Sequence, residues 1–299
     1  MAAESRLPRI ADEPVRTHDG TLLTIRHCHS FADLDACVTL QQQTWEYEDR
    51  EVLPRKGFLL ARELGGQVIG AFHPSGELVA FAMSMPGFEP AQPAASAGES
   101  HPRPYLHSHM LAVRPGFRDA GLGARLKLAQ REDALARGID RMTWTFDPLA
   151  AKNAYFNLHR LGAIACRYSP DFYGVSSSRL HGGLPTDRLH AEWWMRSSRV
   201  LSRVAAILGQ GPPAEEASVE SAATGFETIH LPPQAATPEE ARDQQSTLRA
   251  LFLDAFPRHL AVTDFRRNSE GGGIYKLQSG KLQTSELQSW IEPGTTSIR

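Results

Sequence analysis

The sequence predicts an α/β fold, because segments with strand-like patterns alternate with segments of helical periodicity along the chain. The first observation is a hairpin signal, in which two runs rich in β-forming residues flank the turn Pro74-Ser75-Gly76. The second is the segment 106–125, where a strand and a tight turn lead into a glycine-rich helix start. Together these patterns predict a sheet with helices packed against it.

The composition is that of an ordinary soluble globular protein. The chain has 299 residues, of which 41% are apolar and 22% charged, and its formal net charge is −2. No basic field therefore points to nucleic acid or an anionic membrane. The three scattered cysteines suit a reducing cytoplasm. The N-terminus lacks the apolar core of a signal peptide, and no run reaches the roughly 18 apolar residues of a membrane span. We expect a cytoplasmic protein with neither nucleic-acid nor membrane partners.

In the first part of the chain, the patterns predict two helices and three strands before a long irregular segment. Ser30 is the expected N-cap of the first helix, with Asp33 three residues later, and Gly65-Gly66 ends the second helix. Residues 86–104 are rich in Pro, Ala, Gly and Ser, which predicts a loop that is either a surface excursion or a flap over the acceptor site. The elements are strand 21–27, helices 31–45 and 54–64, and strands 68–73 and 78–85.

Further along, the patterns predict a helix from the glycine-rich turn onward and then alternating strands and helices. A Pro/Ala/Glu/Ser-rich linker separates a second, smaller block. The elements are helix 121–137, strand 142–146, helix 150–161, strands 164–168 and 192–195, helix 197–209, strand 228–231, helix 238–256, and strands 260–265 and 274–277.

The glycine-rich turn carries the first functional signal. Gly121 and Gly123 lack side chains, so an anion can approach the backbone of this turn closely. The free N–H groups at the start of the following helix, together with its dipole, favour negative charge at that point. Arg118 can add a charge-assisted contact. The alternative is a tight strand-to-helix turn that holds no ligand.

These residues resemble a known family. Arg118-x-x-Gly121-x-Gly123, after a Leu-x-Val-x-Pro strand at 111–115, resembles the acyl-CoA-binding motif of the GNAT acyltransferase superfamily. The resemblance covers about residues 20–196 in element order and hydrophobic pattern. More narrowly, residues 107–113 (HSHMLAV) resemble the His-x-His-x-Leu-Ala-Val strand of arylalkylamine N-acetyltransferases. More broadly, residues 105–174 resemble a bacterial subgroup of acyltransferases, some members of which are associated with amino-acid N-succinylation.

The resemblance implies the GNAT fold, with a mixed, mostly antiparallel central sheet flanked by helices and here a small C-terminal α/β extension. It also implies acetyl-CoA or succinyl-CoA as co-substrate, without a metal. The predicted domains are a flexible arm 1–20, an acyl-CoA-binding catalytic domain 21–209, a linker 210–223, an extension 224–277 packed on the core, and a flexible tail 278–299. The predicted cofactor-binding residues are Leu111, Ala112, Val113, Arg118, Asp119, Ala120, Gly121, Leu122, Gly123, Ala124, Asn153 and Asn157.

His107 and His109 are the predicted catalytic bases. Residues two apart in a strand face the same side, and an imidazole titrates near neutral pH, where an acceptor ammonium must lose a proton before it attacks a thioester. Two charged imidazoles would repel each other, so at least one is expected to be neutral in use. The alternative is that one of them is a buried, hydrogen-bonded strand histidine.

A catalytic acid is harder to assign. In many GNAT enzymes a tyrosine four residues before the glycine of a Gly-Phe pair protonates the leaving thiolate, but counting back from Gly162 leads to Leu158. Tyr168 is the predicted acid, and the open alternatives are Tyr155, His159 and Tyr173. A thiolate can also leave without an acid, since thiol pKa values lie near 8.5.

The acceptor site is predicted from residues that follow the core helix. Arg167, Tyr173 and Arg179 are the expected substrate-binding residues, and an arginine there can pair with the carboxylate of an amino-acid acceptor or a succinyl donor. The alternative is that these are ordinary surface arginines. His27 and His29 could chelate a metal, but the sequence supplies no further ligands in a recognisable spacing.

The expected function is therefore an acyl-CoA-dependent N-acyltransferase that moves an acetyl or succinyl group to the amine of a small molecule, with an amino acid as the favoured acceptor. Two alternatives remain open. One is a non-catalytic GNAT-fold protein that binds acyl-CoA or regulates, and the other is a protein N-acetyltransferase. A homodimer is among the assemblies that the resemblance allows.

Overall fold

The computed structural model describes residues 13–17, 20–89, 102–118, 121–174, 176–178, 182–210 and 226–279. The chain separates into two compact units, Met1–Met142 and Thr143–Arg299. No helix in the described ranges is both long and apolar enough to cross a membrane. The predicted linker at 210–223 and tail at 278–299 fall almost wholly outside the described residues, and the domain boundaries predicted from the sequence stay a prediction.

The first unit contains an antiparallel run of five strands in chain order, with three helices. The strands pair successively, each with the next. Its elements are β1 (Glu13–Arg16), β2 (Leu22–His27), α1 (Phe31–Trp45), α2 (Arg55–Glu63), β3 (Gln67–Phe72), β4 (Leu78–Glu89), β5 (Arg103–Val113) and α3 (Leu122–Ala136). The next strand, β6 (Arg141–Phe146), begins at the end of this unit.

Two apolar clusters fix which helix covers which face of this sheet. Met110 and Ala112 of β5 are buried in a cluster with α1 and α2. Leu111 and Val113 pack instead against a cluster that contains Leu122 and Leu126 of α3. The alternation of neighbouring side chains between two faces is that of a strand buried on both sides.

Local sequence signals account for the helix starts. Ser30 is the N-cap as expected, and it forms a capping box with Asp33, in which the Ser30 hydroxyl accepts from the Asp33 N–H and the Asp33 carboxylate accepts from the Ser30 N–H. Arg26 also binds Asp33, and these contacts outweigh burial and hold the pKa of Asp33 at about 2. Gly66 has a different role, since a side chain there would meet the Ser84 carbonyl at 2.1 Å.

Two sequence predictions for this unit were wrong. The arm 1–20 contains β1, which pairs with β2. The segment 86–104 was expected to be irregular, but β4 continues to Glu89 and β5 begins at Arg103. The reason lies at Gly87, which has no side chain and leaves room for the Tyr105 ring from the neighbouring strand. Prolines in such positions remove only single N–H donors from the ladder. Residues 90–101 lie outside the described part.

The second unit holds the remaining strands. The strands of the C-terminal block pair in one continuous series with the two strands that precede the block. These strands, whose bounds are given in the next sentence, are neighbours in the order β8, β7, β10, β11 and β9, and each of these pairs is antiparallel. The elements are α4 (Ala151–Ala154), a π-helical turn (Tyr155–Arg160), β7 (Ile164–Ser169), β8 (Arg188–Trp194), α5 (Ser198–Ile207), β9 (Phe226–Leu231), α6 (Pro238–Ala255), β10 (Leu260–Arg267) and β11 (Gly273–Ser279).

Candidate functional site

The N-terminus of α3 is built as the glycine-rich turn predicts. Gly121 is the N-cap with a φ of 75°, a left-handed conformation that favours glycine, and a side chain there would meet nothing within 4 Å. No side chain caps this end among the described residues. The helix ladder begins with the N–H groups of Ala124 and Arg125, which donate to the Gly121 carbonyl. The N–H groups of Leu122 and Gly123 therefore precede the ladder and remain available to an anion.

Arg118 lies immediately before this turn and contacts the end of β5. Its Nε donates to the Val113 carbonyl at 3.0 Å, and its side chain is exposed. This contact holds the guanidinium near the glycine turn, but it also occupies the carbonyl of Val113, which is itself a predicted cofactor-binding residue. Asp119 and Ala120, two further predicted cofactor contacts, lie outside the described residues.

A β-bulge interrupts β5 at His109. Met110 pairs with Met83 of β4, and the next pair is Ser108 with Ser84, so His109 has no partner in this register. A bulge adds one residue to a strand and redirects the side chains that follow it. Regular alternation along the strand predicted that both histidines lie on one face. The bulge interrupts that alternation between His107 and Met110.

The two histidine rings nevertheless lie close together, with centroids 6.4 Å apart. Burial is the largest of three effects that together lower the pKa of His107 to about 4, and the others are the charges of the nearby His109 and Lys127. Protein surrounds much of the His109 ring, and this burial lowers its pKa. Part of the residue is nevertheless exposed to solvent. Both imidazoles are therefore neutral at pH 7, which is the form that accepts a proton.

A buried polar cluster lies on the α3 side of β5 and was not predicted from the sequence. Lys127 is 3% exposed, and its Nζ donates to the Ser108 hydroxyl at 2.7 Å. Ser108 in turn donates to Gln130 Oε1 at 3.1 Å. A signal did exist, because Lys127 sits between Leu126 and Leu128 in the most apolar part of the helix.

The cluster continues away from the histidines. Gln67 of β3 donates both to the Gln130 carbonyl at 2.8 Å and to Asp133 Oδ2 at 2.6 Å, while Ser84 donates to Gln67. Burial would raise the pKa of Asp133, but its contact with His27, the hydrogen bond from Gln67 and the charge of Arg137 outweigh it and lower the pKa. These buried polar groups connect β3, β4, β5 and α3. Each hydrogen bond gives a partner to a polar group that water does not reach.

Tyr168, the predicted acid, has a structural partner in the second unit. Its hydroxyl donates to Asp187 Oδ2 at 2.5 Å, and Asp187 also accepts two bonds from Arg249 at 2.8 and 2.9 Å. Burial and the Asp187 carboxylate raise the pKa of Tyr168 well above its usual range. A phenol so held gives up its proton reluctantly, and the geometry favours a structural role for Tyr168. Neither Asp187 nor Arg249 was singled out from the sequence, because they are far apart along the chain.

The helix after β6 becomes π-helical at the position where the family's tyrosine was expected. Leu158 is fully buried within the π-helical turn, and Asn157 beside it is 6% exposed. Asn153 lies on α4 with an exposed side chain. His159 is also fully buried, and its Nδ1 donates to Asp264 Oδ1 at 2.8 Å. Burial of this kind removes His159 from contact with a substrate, which answers one of the open alternatives for the acid.

The predicted acceptor residues are only partly described. Arg167 lies on β7 with an exposed side chain, opposite His190 of β8. Tyr173 is half exposed, its hydroxyl lies 2.9 Å from Thr145 Oγ1, and the Arg188 guanidinium lies over its ring. Arg179 lies outside the described residues. No group of three or more metal-ligating side chains is found in the part of the chain that the structure describes.

Comparison with known proteins supports the family suggested by the motif. Residues 26–162, just under half of the chain, match the model of the acetyltransferase (GNAT) family. No curated protein matches the sequence. The matched segment runs from the end of β2 to the π-helical turn and includes the bulged strand β5, α3 and β6. The expected fold class is thereby confirmed as the GNAT fold, in which helices flank a mixed sheet, and the match supports an acyltransferase.

Two solved structures illustrate the likeness. The ribosomal-protein-S18-alanine N-acetyltransferase from Escherichia coli is 18% identical, with a TM-score of 0.41, over 57% of this chain and 92% of that one. A GNAT family acetyltransferase from Elizabethkingia anophelis, with acetyl-CoA bound, is 11% identical, with a TM-score of 0.40, over 57% of this chain and 97% of that one.

Proposed function

We propose that this chain is an acyl-CoA-dependent N-acyltransferase that moves an acetyl or succinyl group from CoA to the amine of a small molecule, with an amino acid as the favoured acceptor. The observation that carries the proposal is the uncapped N-terminus of α3, reached from β5 by one turn, with two neutral histidines on that strand. An anion site and proton acceptors thus share one strand–turn–helix segment.

In this proposal the donor is held by the glycine turn. The N–H groups of Leu122 and Gly123 bind diphosphate oxygens of CoA, and the helix dipole adds to their attraction. Arg118, anchored on Val113, supplies a charge-assisted contact. The residues present fit the group, because Gly121 leaves open space where a side chain would otherwise stand.

The histidines take the proton. The acceptor amine attacks the thioester carbonyl, the new C–N bond forms, the C–S bond breaks, and CoA leaves as a thiolate that is protonated to the thiol. The amine proton passes to a neutral imidazole, directly or through water. His109 has the greater exposure, so we assign it the direct contact and His107 the position beside it. A separate acid is not required by this scheme, because a thiolate is a tolerable leaving group.

The experiment is a thiol-release assay with acetyl-CoA and succinyl-CoA against a panel of amino acids and their decarboxylated amines. We expect free CoA to appear only with an acceptor present. CoA bound without thiol release for any acceptor would favour the non-catalytic alternative, for which the buried Leu158 in place of the tyrosine is the supporting observation. Release with peptides alone would favour a protein N-acetyltransferase.

A matched pair of glycine variants tests the donor site. Gly121 and Gly76 both have a positive φ, 75° and 86°, and both leave open space for a side chain. Valine at either position carries the same left-handed strain, of about 1–2 kcal/mol. We expect Gly121→Val to lose CoA affinity in isothermal titration calorimetry and Gly76→Val, in the β3–β4 turn, to keep it. Equal affinity of both variants would remove the glycine turn from the proposal.

We further propose that an arginine reads a carboxylate on the acceptor or the donor. Arg167 is exposed on β7, and a bidentate arginine fixes a planar carboxylate in orientation as well as charge. Arg167→Lys keeps the charge but loses the fork, so it should raise KM for the carboxylated substrate and spare its decarboxylated analogue. Arg179→Lys is the companion variant. Equal use of both substrates by the unaltered protein would rule out this assignment.

A further inference from the structure

The buried amine of Lys127 has no role in the scheme above. Lys127 lies six residues into α3 and is almost fully enclosed, with its Nζ 2.7 Å from the Ser108 hydroxyl. Enclosing a lysine is costly, because an ammonium loses its hydration in an apolar surrounding. Such a group is therefore found where it contributes something other than stability.

The bulge explains how Lys127 comes to lie under the histidines. By regular alternation Ser108 would face α1 and α2, as Met110 and Ala112 do. Instead it bonds to Lys127 and Gln130 of α3, because the extra residue His109 turns Ser108 to the other face. The contact between α3 and β5 thus falls on the residue that separates His107 from His109.

The charges that act on His107 come from its own strand and from α3. They are those of His109 and Lys127. Further along the buried cluster, Asp133 of α3 pairs at 2.7 Å with Arg137, the C-cap residue of that helix. His27 of β2 lies 3.5 Å from the other oxygen of Asp133. The carboxylate is therefore engaged at the far end of the cluster, away from His107.

We propose that Lys127 is a positioning residue that takes up a proton before His107 does and thereby keeps the His107 ring neutral beside His109, where the acceptor amine gives up its proton. The inference rests on the proposed function for its catalytic meaning, but the order of protonation is a property of the protein alone. A positive charge on Lys127 acts against a second charge on the neighbouring strand. The bond to Ser108 keeps that charge at a fixed place beneath the bulge.

The electrostatics of the site agree with this order. Burial lowers the pKa of Lys127 from 10.5 to about 7, while the pKa of His107 falls to about 4. As the pH falls from 8, the buried amine becomes charged first, and its charge then resists protonation of His107. Between these values the strand carries a neutral imidazole beside a charged lysine.

The test is an NMR titration of the full chain without CoA, following the His107 ring and the Lys127 Cε and Nζ signals. In the unaltered protein, we expect Lys127 to titrate at a higher pH than His107 and well below the usual lysine range. The reverse order, or a Lys127 signal that titrates near 10.5, would overturn the proposal. This measurement requires no variant and no activity.

A variant pair then isolates the charge. Lys127→Met keeps an unbranched chain and removes the amine, and we expect it to raise the His107 midpoint by about 0.5–1 pH unit. Lys56→Met, an exposed lysine of α2, is the matched control and should leave that midpoint unchanged. If Lys127→Met fails to fold, Ser108→Ala loosens the same amine, and its effect on the Lys127 signal is read instead. An unmoved His107 midpoint in folded Lys127→Met contradicts the proposal.

Turnover provides a separate readout once activity is established. The ratio of kcat/KM at pH 5 to that at pH 8 should fall in Lys127→Met, because His107 then holds a proton at the lower pH. The KM for the acyl donor should stay the same. Absence of turnover in every protein would count against the proposed function, while the NMR result would still decide the role of Lys127.

Discussion

The protein contains two histidine arrangements that differ in what surrounds the ring. His107 and His109, in the first unit, are partly open to solvent, and burial lowers the pKa of both. His159, in the second unit, is fully buried and bonded to the Asp264 carboxylate. Its Nε2 has no hydrogen-bond partner among the described residues. A histidine–carboxylate pair is often taken as the sign of a catalytic base, yet here the pair is enclosed, whereas the two histidines of β5 are partly open to solvent.

The difference shows that a histidine serves as a base only when a substrate can reach its ring and the ring has a suitable proton affinity. A carboxylate stabilises the protonated ring, which suits a base that is recharged during a reaction, but only if a substrate can reach it. Around Asp264, the carboxylate also accepts from Arg266 and from the Phe265 N–H. These additional bonds indicate that the pair of His159 and Asp264 has a structural role, in which it connects β10 to the π-helical turn. The open pair on β5 is the one to which the proposed function assigns the chemistry.

The largest expected effect concerns the open pair. His107→Ala combined with His109→Ala should lower turnover about 10²–10⁴-fold, the usual cost of losing a general base, while CoA affinity stays unchanged. The contrast is His159→Gln, which should reduce thermal stability and leave turnover per folded molecule unchanged. Steady-state kinetics with melting curves separates the two. Wild-type turnover in the double variant would make the β5 pair structural.

The enclosed pair should dominate stability. Asp264→Ala leaves His159 and Arg266 without their carboxylate, and breaking a buried pair costs about 3–5 kcal/mol of unfolding free energy. Asp254→Ala removes an exposed carboxylate that pairs with Arg258 within one helical turn, and it should cost about 0–1 kcal/mol. Urea unfolding of both variants measures the difference. Similar losses would show that the buried position of Asp264 is immaterial.

Lys127→Met should change stability in the opposite direction. Burial lowers the pKa of this amine from 10.5 to about 7, so its burial costs free energy of unfolding at any pH below 10.5, and a methionine of similar length avoids that cost while losing one hydrogen bond to Ser108. We expect the unfolding free energy at pH 7 to rise by about 1–3 kcal/mol. A fall in stability would mean that the amine is retained for packing and not for its charge.

The smallest effect is a difference in acid sensitivity. His107 has a folded pKa of about 4, below its ordinary 6.5, so its contribution is complete above pH 6.5 and is lost as the pH falls toward 4. The bond from His159 and neighbouring charges outweigh burial and lower the pKa of Asp264, so its contribution is lost only below its ordinary 3.8. Each slope is at most about 1.4 kcal/mol per pH unit.

Hydrogen exchange at amides of β5 and β10 reads these two windows separately. Amides of β5 should lose protection between pH 6.5 and 4, and those of β10 only at lower pH. His107→Gln should abolish the first window alone. A single common window for both strands would remove the distinction between the two regions.

Most elements could be predicted from the sequence, because local patterns specify them. Periodicity predicted α1, and Ser30 predicted its start as an N-cap, where the structure shows a capping box with Asp33. The glycine turn predicted the uncapped end of α3 for the same reason, since Gly121 adopts the left-handed conformation that favours glycine. Both depend on neighbours within a few residues.

What the sequence did not predict depends on partners far along the chain. The pairing of Asp187 with Arg249 joins residues 62 positions apart, and Lys127 meets Ser108 across 19 positions. Neither pairing leaves a local pattern. The continuation of β4 to Glu89 was missed for a similar reason, because Gly87 is explained only by the Tyr105 ring on the opposite strand.

The bulge in β5 has an evolutionary consequence. Without His109, Met110 would follow Ser108 directly, and the remaining side chains of the strand would alternate regularly on the faces they already occupy. His109 is thus equivalent to one inserted codon in an otherwise regular strand. Deleting that codon would straighten the strand and remove one imidazole while leaving Lys127 and Ser108 in contact. A second histidine of this kind can enter or leave a lineage in a single step, without repacking the sheet.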